Sequence, residues 1–275
     1  MSSSFLSLVK PPAKGEGIPI GIVHGKGENT GKLLYLNRDG IDEDPVELEA
    51  AEKLAIEPTH DPQGRDVIMV GGKSGSGKSH IARNFAVRYH ELFPKRKIYL
   101  ISYLESDTTL DSVGPIFKRV DSSKFEDDDL EYGIGDFKES LLIVDDVEGY
   151  ERTNKKVFNG IQSVIDMIAT MGRHNASSIV VCSHLLTDYK RTRLFLGEAQ
   201  QFVTFMHGAS RKQIYGLLGG YAGIDDTEID TLRKINSRWV CVRTQYPVTA
   251  LYERGAYLVR VEKPKKKVKI VEDST

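Results

Sequence analysis

The residues best placed to do chemistry lie in one short run, Gly72 to Ser79, reading GKSGSGKS. The pattern G-x-x-x-x-G-K-S suits a loop that wraps phosphate: glycines let successive backbone N–H groups converge, and side chains there would block the anion. Gly72, Lys73, Ser74, Gly75, Ser76, Gly77, Lys78, Ser79 and His80 are therefore assigned to binding ATP or a related nucleotide. Lys78 reaches the β- and γ-phosphates, and the Ser79 hydroxyl binds Mg²⁺. A helix beginning near Lys78 adds its positive dipole end.

The second group is LLIVDD, Leu141 to Asp146. An apolar strand there delivers Asp145 to hold Mg²⁺ and Asp146 to polarise an attacking water, with Glu148 in reserve. The third is SIVVCSH, Ser178 to His184, where Ser183 or His184 at the strand's end would sense the γ-phosphate.

These groups need a scaffold that brings three strand ends together. Val67 to Val70, Lys97 to Tyr103, Leu141 to Val144, Ser178 to Cys182 and Phe202 to Phe205 read as strands, several of them wholly apolar, as in parallel sheets buried on both faces. Between them, a stripe through Ile81, Phe85, Tyr89 and Leu92 predicts a helix that stops before Pro94. Val157, Ile161, Val164, Ile165 and Ile168 predict a second helix over Thr153 to Met171. Helices near Arg211 and Glu228 and strands near Trp239, Thr249 and Tyr257 follow. Alternating strands and helices predict an α/β fold, a mostly parallel central sheet with helices on both faces. The region from Glu105 to Gly135 reads as irregular, and its acidic run EDDDLE, Glu126 to Glu131, as a solvated loop.

Ahead of this domain, Ile18 to Val23 and Lys32 to Leu36 read as strands joined by a loop over Gly25 to Gly31. Asp44-Pro45 reads as the cap and first turn of a helix running to Ile56. The expected organisation is a small accessory segment over 1–60, the nucleotide domain over 61–260 and a basic tail over 261–275. The tail's Lys263, Lys265, Lys266, Lys267 and Lys269 suit nucleic-acid binding, nuclear import or a plain solvated tail.

Composition narrows the class. A chain of 275 residues, 40% of them apolar, is too hydrophobic to be disordered, and its net charge of −1 provides no global field for nucleic acid. Any contact with DNA must come from local patches or an assembled ring. Cys182 and Cys241 lie in apolar runs without metal-ligand spacing and read as buried, reduced thiols. No stretch is apolar and long enough for a bilayer span, so no membrane anchor is expected and the protein reads as intracellular.

The segment GRHNASSIVVCSHLLTDYKRTR resembles the sensor region of FtsK/HerA-type P-loop ATPases, especially the DNA-packaging ATPases of large double-stranded DNA viruses. Gly172, Arg173 and His174 match the turn that closes a helix, and Ser183-His184 stand where that family more often has glutamine. FVTFMHGASRKQIYGLLGG is similar to the strand that follows and to its arginine-bearing helix, so the resemblance spans Asp66 to Gly223. It implies an additional-strand P-loop NTPase acting as a homo-oligomeric ring on double-stranded DNA, with capsid proteins as possible partners and the virion or the infected host's cytoplasm or nucleus as its location. It also implies an arginine that completes a neighbour's site. Arg211 matches best by position, with Arg173, Arg191 and Arg193 as rivals. Lys73 matches the early lysine of the deviant loop of partition-type ATPases, but the chain after Asp146 does not follow that family, so Lys73 reads as an ordinary variable position. A nucleoside or nucleotide kinase and a non-catalytic virion or assembly protein are the alternatives. The first usually needs an arginine-rich lid, of which no clear sign is found.

Overall fold

The runs VIMVG, SLLIVD and SIVVCS are buried at every position, the signature of strands with packing on both sides. A computed structural model describes residues 4–126, 132–184, 186 and 192–259. In chain order its strands are β1 (Leu6–Val9), β2 (Ile18–Gly25), β3 (Leu33–Leu36), β4 (Val46–Glu47), β5 (Glu52–Ile56), β6 (Val67–Gly71) and β7 (Lys97–Ser102). These are followed by β8 (Phe117–Arg119), β9 (Ser140–Asp145), β10 (Ser178–Ser183), β11 (Gln201–Thr204), β12 (Val240–Arg243), β13 (Thr249–Tyr252) and β14 (Gly255–Leu258). The helices are α1 (Lys78–Leu92), α2 (Tyr150–Thr153), α3 (Lys155–Met171), α4 (Arg193–Glu198), α5 (Arg211–Tyr221) and α6 (Asp226–Lys234).

The larger sheet has the order β4-β14-β13-β12-β11-β6-β10-β9-β7-β8. From β11 to β8 every pairing is parallel, and from β11 out to β4 every pairing is antiparallel. The chain thus has the expected α/β fold with a mostly parallel sheet. β10 is inserted between β6 and β9, as the additional-strand class requires. Period-2 alternation sorts the side chains. Met69, Val144 and Val181 pack beneath Ile161, Ile165 and Ile168 of α3, together with α4 to α6. Ile68, Val70, Ile143 and Val180 pack on the other face against Ala82, Phe85 and Tyr89 of α1. Register aligns the C-terminal ends: Gly71 lies opposite Ser183, and Asp145 opposite Cys182 and Ser102. One edge of the sheet therefore carries the ends of four strands, where open α/β sheets place their ligands.

The N-terminal segment differs from expectation. No helix runs from Asp44 to Ile56; β4 and β5 occupy that stretch. Glu, Ala and Leu favour a helix locally, but Glu52, Leu54 and Ile56 are buried at period 2 with Lys53 exposed between them. β5 pairs antiparallel with β2 from Gly21↔Ile56 to Gly25↔Glu52. Ladder hydrogen bonds and burial together outweigh propensity. The buried Glu52 carboxylate accepts from the Asn29 N–H at 2.6 Å and Asn29 Nδ2 at 3.0 Å, which fixes the β2–β3 connection. The smaller sheet, β1-β3-β2-β5, rests beside α1, while β4 extends the edge of the larger one.

The stretch after β7 is also less irregular than expected. It holds β8 and 3₁₀ turns at Asp111–Val113 and Ser122–Phe125. Of the acidic run, Glu126 accepts from Asn154 Nδ2 at 2.9 Å. Residues 127–131 lie outside the described residues, as do Arg191 and the tail lysines. Both cysteines are buried and free. No helix among the described residues is long and apolar enough to cross a membrane.

Candidate functional site

The loop between β6 and α1 turns through Gly75 and Gly77, whose φ angles of 73° and 111° favour glycine. At Gly72 a Cβ would lie 2.6 Å from both the Phe205 ring and Ser76 Oγ, so the loop closes only without a side chain there. The Gly72 N–H donates to the Ser183 carbonyl at 3.1 Å, tying the loop to the tip of β10. α1 opens on Gly77 with no side-chain cap and no acidic residue in its first turn. Its N–H groups and positive dipole end face the loop's interior, as an anion site requires.

Lys78 is buried and runs back under the loop, with Nζ 3.5 Å from the Lys73 carbonyl and 3.3 Å from His184 Nδ1. An ammonium can only donate, so Nδ1 accepts and the imidazole proton sits on Nε2. That nitrogen lies 2.7 Å from Asp146 Oδ1, which is itself 3.9 Å from Lys78 Nζ and, among the described residues, accepts no hydrogen bond. Lys78, His184 and Asp146 thus form a closed triangle. Asp146 is held at φ 53°, left-handed backbone that a non-glycine residue adopts at a cost of about 1 kcal/mol or more.

Asp145 ends β9 beside this triangle. Its Oδ2 accepts from Ser79 Oγ at 2.9 Å, and its Oδ1 is buried without a hydrogen-bond partner among the described residues. Burial, reinforced by the Asp146 charge, pushes the Asp145 carboxyl up to about 6; the Ser79 hydrogen bond and Lys78 oppose that shift. An unpartnered hard oxygen beside a serine hydroxyl fits Mg²⁺, which is usually held by one or two carboxylates plus substrate phosphates. Among the described residues no group of three or more His, Cys, Asp or Glu forms an all-protein metal cage.

The tip of β10 is fixed from below by Glu148. Its Oε1 accepts from Ser183 Oγ and from the His184 N–H, the latter at 3.1 Å. This tether joins the segment after β9 to the end of β10. The sequence identified Glu148 only as a reserve base; its spacing from Asp145 does not reveal its contact with Ser183.

The structure therefore brings Lys78, Ser79, Asp145, Asp146, Ser183 and His184 together. Lys73 and Ser74 are exposed on the loop's outer side, and His80 is exposed on the first turn of α1, where Asn84 Nδ2 lies 3.2 Å from its Nε2. Arg211 is not brought in: its guanidinium lies over the Tyr215 ring, 2.9 Å from Tyr215 Oη and 3.3 Å from Asp230. Arg173 sits in the turn Gly172–Asn175 ahead of β10, so the length of that strand separates it from the loop. Arg193 opens α4 and is exposed.

A glycine-rich loop from a buried strand into an uncapped helix, faced by a strand-end aspartate across an inserted strand, defines a P-loop NTPase of the additional-strand class. No family model matches the chain. The uncharacterized protein V3 of Sputnik virophage is 34% identical over 255 residues, 92% of this chain and 98% of that protein. The chain belongs to the same family as that virophage protein. Among solved structures, the cytoplasmic domain of the type VII secretion ATPase EccC of Thermomonospora curvata superimposes with a TM-score of 0.51 at 11% identity. The match covers 88% of this chain and 29% of that one, and it is a likeness of fold. The genome packaging NTPase B204 of Sulfolobus turreted icosahedral virus 2, in complex with ATPγS, gives a TM-score of 0.43 at 14% identity, covering 73% of this chain and 100% of that one.

Proposed function

We propose that this chain hydrolyses ATP to move double-stranded DNA, as a viral genome-packaging motor working in a homo-oligomeric ring. The observation that carries the reading is the convergence of Lys78, Ser79, Asp145, Asp146 and His184 at one sheet edge. A virophage relative at 34% identity and the GRH-to-sensor resemblance support the packaging role.

Lys78 is the fixed cation for the β- and γ-phosphates. Before they arrive, Asp146 and His184 surround its ammonium, so an incoming phosphate competes with Asp146 for it. Two unit charges about 4 Å apart interact by roughly 4 kcal/mol at the effective dielectric of a protein surface, enough for this exchange to reorganise the triangle. Mg²⁺, held by Ser79 and Asp145, would neutralise charge developing on the phosphates. Asp146, released from Lys78, is placed to accept a proton from the attacking water. His184 senses the γ-phosphate through the same contacts, and the Glu148 tether carries any shift of the β10 tip back to the segment after β9.

Arg211 is assigned to the neighbouring subunit's site, consistent with its guanidinium resting on Tyr215 and Asp230 of its own helices and not on its own loop. Its pairing with Asp230 must open when a neighbour docks.

The test is ATP turnover by the assembled protein with and without double-stranded DNA. Turnover is expected to rise with DNA and to fall about 100-fold or more in Lys78→Ala, since loss of one preorganised charge contact costs two to three orders of magnitude. Equal turnover in wild type and variant contradicts the enzymatic reading. Turnover indifferent to DNA in an assembled oligomer contradicts the motor.

A further inference from the structure

The loop has two sides, and the phosphate chemistry uses only one. Lys78, Ser79 and Asp145 lie toward β9 and β10. Ser76, Gly77 and His80 lie on the other side, at the mouth of a cleft of 580 Å³ between α1 and the N-terminal sheet. That volume falls in the usual range for small-ligand sites, about 300–1,000 Å³. We propose that this cleft holds the nucleoside of the bound nucleotide, and that one face of the β2–β5 ribbon is the wall that closes on its base. The proposal rests on the phosphate-binding reading of the loop and adds a role for the N-terminal sheet.

Sheet geometry supplies the wall. Ile22 pairs with Ala55 and His24 with Lys53 across the β2–β5 ladder. Partners in register point to the same side, as do alternate residues along each strand. All four therefore project from one face, and all four line the cleft. Ile81 of α1, Phe205 and Trp239 also line the cleft. A triphosphate alone has no use for apolar walls, whereas a base has two apolar faces. Among the polar groups that line the cleft, His80 and Asn84 on α1 and His24 on the sheet can read a base edge or ribose, and Arg83, Arg88, Glu91, Arg238 and Glu253 add charge to the lining.

The wall is anchored. Glu57, fully buried just after β5, accepts three hydrogen bonds from Arg88 of α1 at 2.8–3.1 Å. It also lies 2.6 Å from His60 Nε2. This fork fixes the end of β5 against the same helix whose first turn faces the phosphates. Phe205 links the two sides, because its ring packs against Gly72 and Gly77 of the loop while also lining the cleft. Phosphate and nucleoside subsites therefore share the wall between them.

Trp239 is the chain's one tryptophan, so the protein carries its own probe. The experiment compares Mg-ATP with inorganic tripolyphosphate, which has the phosphates without the nucleoside, by calorimetry and by tryptophan emission on the full chain. Wild type is expected to bind ATP about tenfold or more tightly than tripolyphosphate, with Trp239 emission shifted by ATP alone. In Ala55→Phe, which places a ring on the wall, that preference is expected to shrink to about threefold or less while tripolyphosphate binding stays unchanged. Unchanged tripolyphosphate binding shows that the variant is folded. Should Ala55→Phe not fold, Ile22→Thr, of similar shape and less apolar, is expected to reduce the preference in the same direction. Wild-type preference in a folded variant, or equal affinity of both ligands for wild type, overturns the proposal. If neither ligand binds wild type, the phosphate reading fails first and takes the nucleoside site with it.

Discussion

The two sides of the P-loop are built from different materials. Toward β9 and β10 the site is charged and closely spaced: Lys78 at the start of α1 and Asp145, Asp146 and His184 at the ends of β9 and β10 lie within 2.7–3.9 Å of their partners. Toward the N-terminal sheet it is an open cleft with apolar walls from Ile22, Ile81 and Phe205. On the proposed reading the first side supplies the bond-breaking groups, because its charges are preorganised. The second, on the same reading, adds affinity and selectivity. Substitutions on the two sides should therefore separate turnover from nucleotide affinity.

The largest separation is expected from Asp146→Asn. Removing the general base should lower kcat about 100-fold or more, with the affinity ratio of ATP to tripolyphosphate unchanged. Glu148→Gln, measured alongside, should lower kcat by a smaller factor, about tenfold, because the bonds from Ser183 and His184 lose their charge assistance while the base remains. If Glu148→Gln is the more damaging of the two, the roles of the two carboxylates are reversed.

A smaller effect on the other side is expected from Arg88→Ala, which leaves the buried Glu57 without its guanidinium. Breaking a buried pair from one side typically costs roughly 3 kcal/mol, read as a lower urea midpoint. With the wall loosened, the KM for ATP should rise while kcat at saturating ATP stays near wild type. A fall in kcat with unchanged KM would show that the N-terminal sheet serves the chemistry and not the nucleoside.

The same contrast explains what could be read from the sequence. The phosphate side was legible because each part has a local signature: a glycine-lysine-serine loop after an apolar run, an apolar run ending in Asp145-Asp146, another ending in Ser183-His184. The strand insertion that the sheet shows was implied by the family resemblance and not by any local pattern. The nucleoside side was not legible. Residues 46–56 hold good helix formers, and only the pairing of β4 with β14 and of β5 with β2 makes strands there. Ile22 and Ala55 become a wall through a register that no local pattern encodes. Glu148 fell between these cases: its position was visible, but its bond to Ser183 depends on β9 and β10 lying side by side.

The most direct test of the motor is displacement of a triplex-forming strand from linear double-stranded DNA by the assembled protein. Release of the third strand is expected with Mg-ATP and wild type, and none with Lys78→Ala or with tripolyphosphate in place of ATP. ATP turnover at the wild-type rate on DNA without release of the strand would contradict translocation.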